Sequence, residues 1–166
     1  MNMRKNIIDI YNSIVSNEEI LRLLIYNPIN ALDNPLDQSK PNILDIPVSE
    51  RFEIIDKHVL RTPKASDITV SEKISRLCMF PAKRRPTRNY EVADQDMIFD
   101  VFVHHDIDHM DLRLSWLCDH INNFINDSRI TGIGSIRFVD GSPIFNPPEG
   151  YTGYRLVYRF GSVKND

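Results

Sequence analysis

The segment 97–103 constrains the fold of this chain more than any other. Its sequence, MIFDVFV, is an almost uninterrupted apolar run, rich in the β-branched and aromatic residues that favour strands. Strands that are apolar on both faces lie inside a sheet. Asp100 is the one polar residue in the run, and its side chain lies on the opposite face from Phe99 and Val101. We therefore predict a central strand with a carboxylate on one of its faces.

A helix is predicted directly after this strand, over residues 109–126, with Asp106 or Asp108 as its N-cap. Apolar residues recur there at the three- and four-residue spacing of one helical face: Leu114, Leu117, Ile121, Phe124 and Ile125. This stripe is expected to pack on the sheet.

Further strands are predicted at 57–61, 74–80, 133–139 and 154–160. The last of these has one apolar and one largely basic face, because Tyr154, Leu156, Tyr158 and Phe160 alternate with Arg155, Val157 and Arg159.

Two short helices are predicted at the start of the chain, over 4–15 and 17–26. Ser16 and Glu19 have the spacing of a capping box and mark the break between them. Residues 27–50 contain four prolines and no sustained period, which predicts an extended arm. Its six large aliphatic residues favour docking on its own domain or on another subunit.

Together these elements predict one α+β domain over residues 1–166, with a helical N-terminus at 1–26, the arm at 27–50 and a core at 57–160. The core is a mostly antiparallel β-sheet of four to five strands packed against a long helix. The net charge is −3 and the chain has no apolar run near the roughly 20 residues of a membrane span. The composition thus favours a soluble protein made in the cytosol, with no membrane partner. Cys78 and Cys118 are expected to be reduced thiols.

A basic block at 83–90 directly precedes an acidic run at 91–111 that contains no lysine or arginine. The basic block is predicted to be a turn or loop. Three interpretations remain open for the pair: plain solvation, contact of the basic block with phosphate, or contact between the two patches on neighbouring copies. The third gives a set of subunit-interface residues: Lys83, Arg84, Arg85, Arg88, Glu91, Asp94 and Asp96.

Segment 104–109 is the densest polar cluster, with His104, His105 and His109. It resembles the HxHxDH zinc signature of metallo-β-lactamases, but Asp106 stands where that motif requires histidine. We predict a strand-to-helix turn there and no metal ligands. Asp100 with this cluster is the basis for an alternative, a small metal-dependent nuclease or hydrolase.

No nucleotide-binding or nucleophile motif is evident. Gly132 and Gly134 follow a helix and precede a strand, which reverses the order that a dinucleotide fingerprint requires. Neither a P-loop nor a GxSxG elbow occurs. The sequence therefore predicts no catalytic residues, no cofactor and no enzymatic activity.

Segments 93–103, 111–125, 130–139 and 150–158 together resemble the strand–helix core of phage tail-terminator and neck proteins. The resemblance covers roughly residues 74–160, and the two opening helices also fit it. It implies a closed homo-oligomeric ring, expected to be a hexamer, that caps the tail tube and joins the tail to the head-side connector.

The partners implied by this resemblance are the tail tube protein, a head-completion or connector protein, and DNA passing through the lumen. The expected location is the virion, after synthesis in the host cytoplasm. Alternatives are a head-completion or connector protein of the same neck, the nuclease or hydrolase, and a bacterial adaptor or toxin–immunity module.

Overall fold

A five-stranded sheet forms the centre of the computed structural model, which describes residues 2–163. Its strands are β1 (Val59–Leu60), β2 (Ser75–Pro86), β3 (Val92–His104), β4 (Ile133–Pro143) and β5 (Tyr151–Val163), in the spatial order β1-β2-β3-β5-β4. All neighbours are antiparallel except β1, which runs parallel to β2. As its apolar sequence predicts, β3 is central.

In the described residues 2–163, five α-helices accompany the sheet: α1 (Met3–Val15), α2 (Glu18–Ile25), α3 (Val48–His58), α4 (His105–Asp111) and α5 (Arg113–Ile125). A short 3-10 helix lies at Ile43–Asp45 in the arm. Leu117, Ile121 and Ile125 of α5 are fully buried in one core with Phe99 and Val101 of β3. Residues of α1, α2 and α3 belong to the same core. The α+β prediction is confirmed. Within residues 2–163, no helix combines the length and apolar character needed to cross a membrane.

The predicted helix at 109–126 is divided into α4 and α5 at Leu112. This residue has a φ of 54°, a left-handed conformation that is unusual for leucine. The predicted N-cap, Asp106 or Asp108, is wrong, because both residues lie inside α4, whose N-cap is His104, and the N-cap of α5 is Leu112. The Asp108 carboxylate still accepts a hydrogen bond from the Leu114 N–H, in the first turn of α5, at 2.7 Å. The division places the Arg113 side chain in the interior, where it is fully buried.

The predicted capping box at Ser16 is wrong. Asn17 is the N-cap of α2, and its side-chain oxygen accepts a hydrogen bond from the Ile20 N–H at 3.0 Å. Ser16 instead ends α1. Asparagine and serine are about equally good caps, and the sequence offers both side by side.

The arm ends earlier than predicted, because α3 begins at Val48. This helix also takes up the first two residues of the predicted strand at 57–61, of which only Val59–Leu60 is extended. Within the arm, Arg22 donates hydrogen bonds to the carbonyls of Asp37 and Lys40 at 2.8 and 3.0 Å. Ile43 is buried in the core, whereas Ile29 and Leu32 are exposed.

Strands β2 and β3 continue beyond their predicted limits and form a long hairpin. Residues 83–86, which the sequence places in a loop, are the end of β2, and only 87–91 form the turn. A register shift between Pro81 and Arg84 interrupts the pairing of the two strands. We call residues 83–92 the β2–β3 hairpin.

Candidate functional site

The sheet face opposite the helices carries a row of charged residues, which we call the outer face. Register places Asp100 of β3 opposite Arg155 of β5, and Asp96 opposite Arg159. Arg155 donates two parallel hydrogen bonds of 2.7 Å to the Asp100 carboxylate. Such forked pairs are among the stronger ionic contacts.

Asp96 is buried between two arginines. Arg159 lies 2.7 Å and Arg85 2.8 Å from its carboxylate oxygens. Burial alone raises the pKa of Asp96, but the hydrogen bonds from Arg159 and Arg85 outweigh it and hold the pKa below its usual value. The same hydrogen bond raises the pKa of Arg159. This carboxylate is therefore ionised and neutralised within its own chain.

The structure divides the predicted interface residues into two groups. Arg85 and Asp96 bind each other, and the Arg84 guanidinium donates to the Ser162 hydroxyl at 3.0 Å. Lys83, Arg88 and Glu91 are exposed and Asp94 is half-buried, and none of these four forms an ion pair with another residue in 2–163.

Tyr90 belongs with the exposed group, although sequence reasoning left it out. It lies in the turn of the β2–β3 hairpin, and 85% of its surface is exposed. Large exposed aromatic residues beside cations are typical of interfaces. An aromatic residue inside a basic turn was the available signal.

Most of the predicted acidic run is neutralised internally. Asp96 and Asp100 bind arginines of the outer face, Asp106 lies 2.7 Å from the Lys73 ammonium, and Asp111 lies 2.7 Å from the Arg113 guanidinium. Asp108 accepts a hydrogen bond from the Leu114 N–H. The run does not form the continuous acidic patch that its sequence suggests.

A free acidic surface is found instead on α3, which the sequence analysis missed. Phe52, Glu53 and Asp56 are exposed on one side of this helix, with Val48 and Glu50 at its margins. None of its three carboxylates forms an ion pair in the described part of the chain. Beside Phe52 lies a cavity of about 270 Å³ that Tyr11 and Val15 of α1 also line.

The histidine cluster spans the end of β3 and the start of α4: β3 ends at His104, and His105 to His109 lie in α4 rather than in the predicted turn. His104 is buried, and its Nε2–H donates to the Val70 carbonyl at 2.9 Å while its Nδ1 accepts from the Asp106 N–H at 3.1 Å. His105 and His109 are exposed. Across residues 2–163, no three histidine, cysteine or carboxylate side chains converge as metal ligands would.

A cavity of about 580 Å³ opens beside β4, at the end of the outer face. Asp94, Arg137 and Arg159 supply its charged groups, and Ile133 and Phe138 are among its apolar ones. Arginine is always protonated in proteins, so neither of these two can serve as a general base.

Comparison with known proteins gives two findings. A protein-family model described as YomW matches residues 17–160. The chain is also 25% identical, over 164 aligned residues, to a protein of Bacillus subtilis (strain 168) named as the SPbeta prophage-derived uncharacterized protein YomW. That alignment covers 93% of this chain and 94% of the relative.

Proposed function

The chain belongs to the YomW family, and from this premise we propose that it is a structural protein of a tailed phage or prophage, acting as the tail terminator. In this proposal six copies form a ring that caps the last ring of the tail tube and stops its growth. The ring then binds a head-completion or connector protein, and DNA passes through its lumen. The protein is made in the host cytoplasm and resides in the neck of the virion.

The phage-related part of this proposal is supported by the Bacillus subtilis relative, whose name describes it as prophage-derived. The two chains align over nearly their full lengths, so the similarity is not confined to one shared element.

The order of the core elements supports the more specific part of the proposal, the tail-terminator role. Strand β3 leads into α4 and α5, and the β4–β5 hairpin follows, whose second strand returns to pair with β3 along its whole length. This order is similar to that expected from the resemblance to tail terminators, with two helices, α4 and α5, in place of the one long helix, and it supports the proposal. The outer face and the β2–β3 hairpin remain free of helices and provide surface for neighbouring subunits.

The alternative of a metal-dependent nuclease relies on Asp100. Arg155 already binds both oxygens of this carboxylate, and a metal ion would have to displace it. We therefore propose no catalytic role.

Deleting the gene from the phage that encodes the protein tests the proposal. Electron microscopy is expected to show tails of irregular, excessive length and heads without tails, because nothing stops tube growth. Tails of normal length that fail to join heads would instead support a head-completion or connector protein. Normal infectious particles, or particles that lack the protein in the wild type, would refute a virion role.

A further inference from the structure

The β2–β3 hairpin and helix α3 carry uncovered surfaces of opposite charge. We call Lys83, Arg88 and Tyr90 the basic tip, and Phe52, Glu53 and Asp56 the acidic face. We propose that the basic tip of one copy binds the acidic face of the next, with Tyr90 against Phe52, and that this contact joins the subunits of the ring. This inference rests on the oligomeric part of the proposed function.

The basic tip is held in place by its own base. Arg85 is tied to Asp96 of β3 and Arg84 to Ser162 of β5, which fixes the β2 arm of the hairpin to the sheet. In the turn, the Val92 N–H donates to the Asn89 carbonyl at 3.0 Å. A surface that is already ordered loses less conformational entropy when it binds.

The acidic face combines an aromatic side chain with two carboxylates. Glu53 and Asp56 are three residues apart and Phe52 and Asp56 four apart, so all three side chains lie on neighbouring turns. Two carboxylates so placed repel each other, and a cation from a partner relieves that repulsion. Phe52 is 57% exposed, which leaves its ring open to a second aromatic ring.

The two surfaces lie at different ends of strand β2. Helix α3 leads into β1, which pairs with β2 at Leu77 and Cys78, whereas the hairpin turn follows Pro86. Nine residues of strand from Leu77 to Pro86 span about 30 Å. Because the surfaces are different and separated, a contact between them is heterologous, and such contacts form rings when the rotation closes.

Charge reversal tests the contact on the full chain. K83E/R88E and E53K/D56K are each expected to weaken self-association by more than about tenfold, because like charges then meet. A chain carrying all four substitutions is expected to associate again, since each interface regains opposite charges. R4E/R129E reverses two exposed arginines outside both surfaces and serves as the matched control. Sedimentation velocity at low ionic strength is the measurement.

Disulfide trapping gives a second readout. Oxidised Y90C/F52C protein is expected to form a ladder of multiples of 19.3 kDa, both when concentrated and in assembled particles. Y90C and F52C alone can form dimers at most. No ladder in either preparation, or no recovery of association in the fourfold variant, would overturn the contact.

The two proposals fail in different ways. Particles that contain the protein but give no ladder would overturn the contact and leave the tail role intact. If the purified protein forms a ladder but particles do not contain the protein, the contact is supported and the tail role is refuted. If the protein binds duplex DNA, and K83E/R88E abolishes that binding but leaves self-association unchanged, the basic tip binds phosphate and the contact is overturned.

Discussion

Arg113→Met is expected to cause one of the largest losses of stability from a single substitution in this chain. The Arg113 side chain is completely buried. Its guanidinium donates to the carbonyls of Leu23 and Tyr26, at the end of α2, at 2.6 and 2.7 Å. It also binds the Asp111 carboxylate at 2.7 Å. Methionine preserves much of the side-chain volume but none of these hydrogen bonds.

The expected loss of stability follows from the polar groups that lose Arg113 as their partner. Removing one partner of a buried ion pair costs about 3–5 kcal/mol, and the carbonyls of buried Leu23 and half-buried Tyr26 lose their donor as well. We expect the free energy of unfolding to fall by about 4 kcal/mol or more. For a chain of this size, 1 kcal/mol shifts Tm by about 2–4 °C, so Tm should fall by about 8–16 °C.

Urea unfolding followed by the fluorescence of Trp116, the chain's one tryptophan, measures the effect. Arg129→Met removes an exposed arginine and is expected to cost less than about 0.5 kcal/mol. Asp111→Asn combined with Arg113→Met should cost less than the sum of the two single changes, because no buried charge is then left unpaired. An Arg113→Met protein within about 1 kcal/mol of the wild type would refute this reasoning.

Four further predictions concern stability and reactivity. Leu117→Ala removes a fully buried side chain between α5 and the sheet and should cost about 2–5 kcal/mol; wild-type melting would mean that the stripe does not pack there. Burial raises the pKa of Asp96, but its ion pairs outweigh this and lower the pKa, so they stabilise the fold above about pH 3.9 and cease to do so as the pH falls through the folded-state pKa. An acid titration should therefore show a smaller loss of unfolding free energy in Asp96→Asn than in the wild type. Burial lowers the pKa of His58, so the unfolded chain binds a proton on this imidazole more readily than the folded one, and stability falls as the pH drops below about 6.5. If the unfolding free energy of His58→Gln fell as steeply with pH as that of the wild type, this prediction would be contradicted. Burial raises the pKa of the Cys78 and Cys118 thiols to about 12, so a thiol reagent at pH 8 should label them only after denaturation.

The elements that the sequence predicted well are those with a clear apolar pattern. Strand β3 has an apolar run broken only by Asp100, β5 alternates between apolar and basic residues over 154–160 except at Val157, and α5 keeps its apolar stripe. Helix α3 has no such pattern, because Arg51 and His58 occupy its covered side beside Ile55. The break at Leu112 also lacks a local signal, since the buried contacts of Arg113 with α2 are what accompany it.

The candidate surfaces could be predicted only in part for a similar reason. The sequence placed basic and acidic residues side by side but could not give the register that brings Arg85 to Asp96 and Arg155 to Asp100. Once those pairs are formed, Lys83 and Arg88 remain unpaired in the hairpin, where the sequence put them, beside Glu91. A separate group of unpaired carboxylates lies on α3, about 30 residues earlier in the chain.

The strand order β2-β3-β5-β4 consists of two hairpins joined along β3 and β5. Each hairpin pairs residues close in sequence, whereas the seam joins residues that are about 50–70 positions apart, such as His104 with Tyr151 and Val92 with Val163. Non-local pairing of this kind is slow, because a long loop must close before any contact forms. During synthesis, the edge of β3 that pairs with β5 therefore stays unpaired until β5 has left the ribosome. Premature termination ahead of β5 would leave that apolar edge open to aggregation.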